Sequence, residues 1–251
     1  MVACDPMIVA HRGLAGHAPE NTMVAYGVAL ELGFGLEVDL SLTADDQIVM
    51  IHDRSLERTT NGQGPVGETS LLELQALDAG SWFHPSFSDQ RIPTLAETLG
   101  FAQERRRIPT LIALDVRPSE RPLEGDICQL VERYGLVEEV LAIGMTTHTP
   151  DVRRRFKEAD PRFLTAIVTE AEEWDEAIAD DSADWLYTHI IPTEQQASAA
   201  HKAGKRLFAA RPRLKGIEPD AWRALHNVGV DAILCDYPLE CRRALQAQKR
   251  S

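Results

Sequence analysis

The sequence predicts an α/β protein, a (β/α)8 TIM barrel with a small insertion after its second strand. Three observations point there: eight short apolar runs of β type, a helical segment behind each, and no glycine-rich nucleotide loop after the first run. That last observation leaves the competing open doubly wound sheet without its signature. A chain of 251 residues with 44% hydrophobic content can bury a sizeable core, so one domain over 1–251 is expected.

The first strand is expected at 7–10. A helix over 21–32 follows, because Met23, Ala25, Val28, Ala29 and Leu32 fall at helical spacing and Gly33 stops the run. The second strand is 36–42, and 48–51 pairs with it or extends it. Residues 54–92 break the rhythm with Asn61-Gly62, Gly64-Pro65 and scattered aromatics, which predicts a loop-rich inserted module on the barrel's top face. The alternation then resumes: helix 95–105, third strand 111–116, helix 126–134, fourth strand 140–143, helix 150–158 and fifth strand 163–168. Helix 172–179, sixth strand 185–188, helix 194–203, seventh strand 206–209, helix 219–227, eighth strand 232–235 and helix 239–247 complete it.

Composition narrows the partners. With 39 acidic against 26 basic residues, the chain has no basic footprint for nucleic acid or an anionic membrane. No run of eighteen apolar residues and no signal-type start is visible, so a cytoplasmic protein without membrane insertion is expected. Cys4, Cys128, Cys235 and Cys241 lack metal-type pair spacing and read as free thiols.

Chemistry concentrates at strand ends. Glu37 and Asp39 stand two apart on one strand, so they share a face. Two readings fit that spacing: oxygens converging on one hard cation, Mg²⁺ or Ca²⁺ rather than Zn²⁺, or the polar face of an edge strand. His11 and His52 each close an apolar run and bracket the acidic pair, which suits acid and base work near neutral pH.

Around these residues lies a series of short motifs: His11-Arg12-Gly13, Pro19-Glu20-Asn21-Thr22, Glu37-Val38-Asp39, His52-Asp53, and Leu56 with Arg58-Thr59-Thr60-Asn61-Gly62. Then come Leu77-Asp78-Ala79-Gly80-Ser81-Trp82, Ile92-Pro93-Thr94-Leu95 and, near the end, Gly229-Val230-Asp231-Ala232-Ile233 with Asp236-Tyr237-Pro238. In this order they resemble the glycerophosphodiester phosphodiesterase family. The match is nearly continuous over 8–97, whereas 118–228 follows the family only in the rhythm of its elements.

The resemblance implies a barrel enzyme that hydrolyses glycerophosphodiesters to glycerol 3-phosphate and an alcohol, in lipid and glycerol metabolism. It implies Glu37, Asp39 and Asp115 as ligands of one divalent cation, with His11 and His52 as the acid and base pair. Arg12 and Arg117 would hold the phosphate oxygens, with Glu20 and Asn21 supporting the site. The expected order is His11 as base and His52 as acid, with water or the glycerol's own neighbouring hydroxyl as nucleophile.

The chain also departs from the family. Asp115 and Arg117 stand where glutamate and lysine are usual, which shortens one ligand by a methylene and replaces a point charge with a planar fork. Met145-Thr146 and Ala210-Arg211 replace aromatic-containing pairs. Arg211 is therefore a candidate contact for a polar or charged distal part of the substrate, unless it pairs with an acid such as Asp236. A lysophospholipase D-like activity and a non-catalytic phosphoester-binding barrel are the competing functions.

Overall fold

The structure is a computed structural model that describes residues 5–106, 108, 110–210 and 216–248. Its elements in chain order begin with β1 (Met7–Ala10), α1 (Met23–Glu31), β2 (Gly35–Leu42), β3 (Ile48–Met50), α2 (Leu71–Ala76), α3 (Leu95–Arg105) and β4 (Ile112–Val116). There follow α4 (Glu124–Arg133), β5 (Val140–Ile143), α5 (Pro150–Ala159), β6 (Leu164–Thr169), α6 (Trp174–Ala179) and β7 (Trp185–Thr188). The chain ends with α7 (Glu194–Lys202), β8 (Arg206–Ala210), α8 (Pro219–Val228), β9 (Ala232–Cys235) and α9 (Pro238–Gln248).

The strands pair in the order β1, β9, β8, β7, β6, β5, β4, β2, and β1 pairs β2 to close the ring. Every pair in the ring is parallel, while β3 runs antiparallel on the outer part of β2. This is the predicted (β/α)8 barrel. Helix starts explain themselves: Ser70 with Glu73, Thr94 with Glu97 and Thr193 with Gln196 form reciprocal capping boxes, and proline occupies the first turn of α5 and α8.

Strand alternation divides the core into two shells. Val9, Ala113, Leu141, Ala166, Trp185, Phe208 and Ala232 fill the inside of the barrel. Leu36, Val38, Ile112 and Leu114 face outward against α1, α3 and α4, and Leu207 and Ile233 do the same for the later helices. The inward set is therefore the odd positions of β2 and β4, and it brings Glu37, Asp39 and Asp115 inside.

Between β3 and α3 the chain packs a small cluster of its own, Leu56, Val66, Leu74, Ala79 and Ile92, against Val49 and Ile51. The segment is less loop-like than expected, because Ser70 and Glu73 cap α2 within it. At the first helix the expectation of 21–32 fails at its start: Asn21 has φ +54° and the helix begins at Met23. An asparagine tolerates this left-handed geometry because its short amide bonds locally. Cys128, Cys235 and Cys241 are free and buried. Cys4 and Arg211 lie outside the described residues. Among those described, no helix is long and apolar enough to cross a membrane.

Candidate active site

Each inward position at the C-terminal ends of β1, β2, β4 and β9 carries a polar side chain. The carboxylates come first. Glu37 and Asp39 are 2% and 1% exposed, so the edge-strand reading is corrected: this is the inner wall of the barrel. Asp39 is in register with Asp115 on the neighbouring strand, and parallel partners point the same way. One oxygen from each of Glu37, Asp39 and Asp115 lies within 4.8 Å of the others, a donor set of hard oxygens that can hold a divalent cation.

The electrostatics around this trio are uneven. Burial, followed by repulsion from Asp39 and Asp115, pushes the Glu37 carboxyl well above the usual range. Burial also pushes Asp115 up to about 6, with Arg117 pulling it down and Asp39 pushing it further up. Asp39 goes the other way. Its burial penalty is outweighed by the charges of Arg12, His52 and Arg117 and by the amide of Asn21, which hold it low.

Those partners are positioned by the loop after β1. Arg12 takes φ +53° and Gly13 φ +79°, where a Cβ on Gly13 would stand 2.8 Å from that of Ala25. The turn aims the Arg12 N–H at Glu37 Oε2 (2.9 Å) and its Nη1 at Glu20 Oε1 (2.8 Å). Asn21 Nδ2 donates to Asp39 Oδ2 at 2.8 Å, and its Oδ1 accepts the Tyr26 hydroxyl at 2.9 Å. From the end of β4, Arg117 Nη2 donates to Asp39 Oδ1 at 2.8 Å.

Both guanidinium groups keep a donor in reserve. Arg12 Nε is 3.1 Å from Asp39 Oδ2, and Arg117 Nε is 3.0 Å from Asp115 Oδ2. Neither N–H makes a hydrogen bond, although both are buried. Each therefore faces a carboxylate charge without an aligned hydrogen bond, which leaves donor capacity at this corner for a further acceptor. Opposite, the Tyr187 phenol is pushed up by burial and by Glu37, Asp115 and Asp39, which keeps it protonated.

The two imidazoles act on different members of the trio, His11 on Glu37 and His52, electrostatically, on Asp39. His11 Nδ1 is 2.6 Å from Asp236 Oδ1, leaving Nε2 turned toward Glu37 Oε2 at 3.9 Å. His52 Nδ1 is 2.6 Å from Asp53 Oδ1. An aspartate on Nδ1 fixes that nitrogen as the N–H and frees Nε2 to exchange protons. Burial pulls the His52 pKa below its ordinary value, against the bond to Asp53 and the charge of Asp39.

The fold thus gathers His11, Arg12, Glu20, Asn21, Glu37, Asp39, His52, Asp115 and Arg117 at one mouth. Three further residues stand in the motifs quoted above but take no role in the site from sequence alone: Asp53, Arg58 and Asp236. Asp236 continues the inward alternation of Ala232 and Leu234, a signal that could have marked it. Asp53 follows His52 directly. Arg58 opens the Arg58-Thr59-Thr60 motif, but nothing local tells that its guanidinium reaches Glu20, 38 residues away.

Residues 11–240 match the profile of the glycerophosphoryl diester phosphodiesterase family. A glycerophosphodiester phosphodiesterase of Bacillus subtilis is 38% identical over 250 residues, spanning 92% of this chain and 84% of that one. The crystal structure of glycerophosphodiester phosphodiesterase from Agrobacterium tumefaciens superposes with a TM-score of 0.79 at 27% identity, covering 95% of this chain and 99% of the other. An Oleispira antarctica phosphodiesterase in complex with the product sn-glycerol-3-phosphate superposes equally well, at 28% identity over 96% of this chain and 97% of its own. With the family profile spanning nearly the whole barrel, the chain belongs to the glycerophosphoryl diester phosphodiesterase family.

Proposed function

We propose that this chain hydrolyses glycerophosphodiesters to glycerol 3-phosphate and an alcohol by histidine acid and base catalysis, with a divalent cation, Mg²⁺ or Ca²⁺, as cofactor. The observation that carries the reading is a pair of aspartate-bound imidazoles beside a carboxylate trio, His11 by Glu37 and His52 within electrostatic reach of Asp39. The substrate is a small-molecule phosphodiester. Neither nucleic acid nor a membrane is a partner, in keeping with the excess of acidic residues.

Glu37, Asp39 and Asp115 would hold the cation. Their donor chemistry fits it, because three carboxylates offer oxygens within 4.8 Å of one another, and burial with repulsion from Asp39 and Asp115 pushes Glu37 up, a penalty a cation would relieve. When bound, it would withdraw charge from the phosphate oxygens as a Lewis acid. Arg12 and Arg117 supply the remaining positive charge, and their Nε–H groups, ion-paired with Asp39 and Asp115 but without an aligned hydrogen bond, are the donors to turn to equatorial phosphate oxygens as charge builds there. Glu20 holds Arg12 from behind, and Asn21 holds Asp39.

His52, favoured in its neutral form by burial, accepts the nucleophile's proton at Nε2. His11 then donates from Nε2 to the departing alkoxide, its ring oriented by Asp236 at Nδ1. This order reverses the one expected from the sequence, because burial disfavours the charged imidazole that an acid must start with. Arg211 remains a proposed contact for the distal part of the substrate.

The test is release of glycerol 3-phosphate from a panel of glycerophosphodiesters with and without chelator. Turnover that needs a divalent cation is expected. No release with any diester under any cation would leave only the phosphoester-binding reading.

A glycine supplies a second check on the cation site. A Cβ on Gly144, where φ is +101°, would fall 2.0 Å from Asp115 Oδ1. Gly144→Ala is therefore expected to displace that ligand and weaken cation affinity by about 10–100-fold, read by calorimetric titration. Unchanged affinity would remove Asp115 from the ligand set.

A further inference from the structure

We infer that Arg58, supplied by the segment between β3 and α3, is a positioning residue that ties the His52 side of the reaction to the Arg12 side through one guanidinium. Its Nε and Nη2 grip Asp53 at 2.6 and 2.9 Å, and its Nη2 and Nη1 grip Glu20 at 2.8 and 2.9 Å. Each of those carboxylates does a second job with the same oxygen it lends to Arg58. Asp53 Oδ1 orients His52, and Glu20 Oε1 orients Arg12.

A continuous chain of polar contacts results: His52, Asp53, Arg58, Glu20, Arg12. Only a planar fork can satisfy two carboxylates edge-on at once, so lysine cannot take this place. Asp53 is held far below the usual carboxylate range, chiefly by the Arg58 bond, which keeps it ionised as the imidazole's partner. The Arg58 side chain is 42% exposed. Exposed ion pairs add little to stability, so this connection fits orientation better than folding.

The inference rests on the acid and base reading above, and it is tested in the full-length protein by kcat and KM for glycerol 3-phosphate release. Arg58→Gln is expected to lower kcat by about 10–100-fold and raise KM, with Arg58→Lys no better and Tm nearly unchanged. Asp53→Asn should reproduce the kcat loss and Glu20→Gln the KM rise. Because each pair acts through the same contact, the Arg58→Gln/Asp53→Asn double variant should be no worse than about threefold below Arg58→Gln. Methylguanidinium should restore part of the turnover of Arg58→Ala.

Multiplying losses in the double variant would overturn the role, as would Arg58→Gln turnover within twofold of wild type while His52→Ala is inactive. If instead His52→Ala keeps wild-type turnover, the acid and base reading fails by itself. Non-additivity of Arg58→Gln with Glu20→Gln then still supports or sinks the Arg12 half of the connection.

Discussion

His52→Ala and His11→Ala are each expected to lower kcat by about 10²–10⁴-fold with KM within a few-fold of wild type, the range that positioned proton transfer contributes. Neither imidazole carries the charge that holds the phosphate, so binding should survive. Arg12 and Arg117 do that work from separate contacts with Glu20, Asp39 and Asp115. The two histidines separate by leaving group. A diester with an acidic alcohol, such as a nitrophenol, needs no protonation as it departs, so it should rescue His11→Ala and leave His52→Ala inactive.

The pH profile carries the same assignment with a definite sign. A base must be neutral, and burial depresses the His52 pKa below its ordinary 6.5. The acidic limb of kcat/KM should therefore have its midpoint below pH 6.5, with activity held down to that point and lost beneath it. An acidic limb above pH 6.5, or rescue of His52→Ala by the activated diester, would return the base to His11.

The second large effect is a trade between stability and activity at Glu37. In chelator at pH 8, Glu37→Gln is expected to raise Tm by about 2–8 °C, corresponding to about 1–2 kcal/mol in a chain of this size, while abolishing turnover. Glutamine keeps the acceptor for the Arg12 N–H but removes a carboxyl whose ionisation is opposed by burial and by Asp39 and Asp115. Carboxyls whose folded pKa is raised stabilise the fold fully below their unfolded pKa and lose that contribution as pH climbs through the folded value.

For Asp115 that window runs from 3.8 to about 6, and for Glu37 it begins at 4.5 and extends well above. Melting curves of the chelated wild type minus those of Glu37→Gln should thus fall with rising pH. Added Mg²⁺ or Ca²⁺ should raise the wild-type Tm and leave that of the variant unmoved. A variant less stable than wild type at pH 8 in chelator would mean that the trio is not in repulsive strain.

Much of this site was readable before any coordinates. A period of two along Gly35–Leu42 puts Glu37 and Asp39 on one face, and the same rule puts Asp115 beside them once Ile112–Val116 is a neighbouring parallel strand. His11 and His52 close apolar runs, and strand ends are where a barrel keeps its chemistry. Those are local patterns, and a chain states its local patterns directly.

What the tertiary structure alone decided is which distant groups meet. Closing β9 onto β1 brings Asp236 to His11 across 225 positions, and the segment after β3 folds back to set Arg58 between Asp53 and Glu20. The left-handed turn at Asn21 belongs here too, since helical spacing from Met23 onward extends back through it, while its bonds to Asp39, Tyr26 and the Arg12 carbonyl hold the other conformation. Periodicity reports the face on which a residue lies. Charge pairing across a closed barrel depends on where two faces come together, which is set by packing rather than by any spacing along the chain.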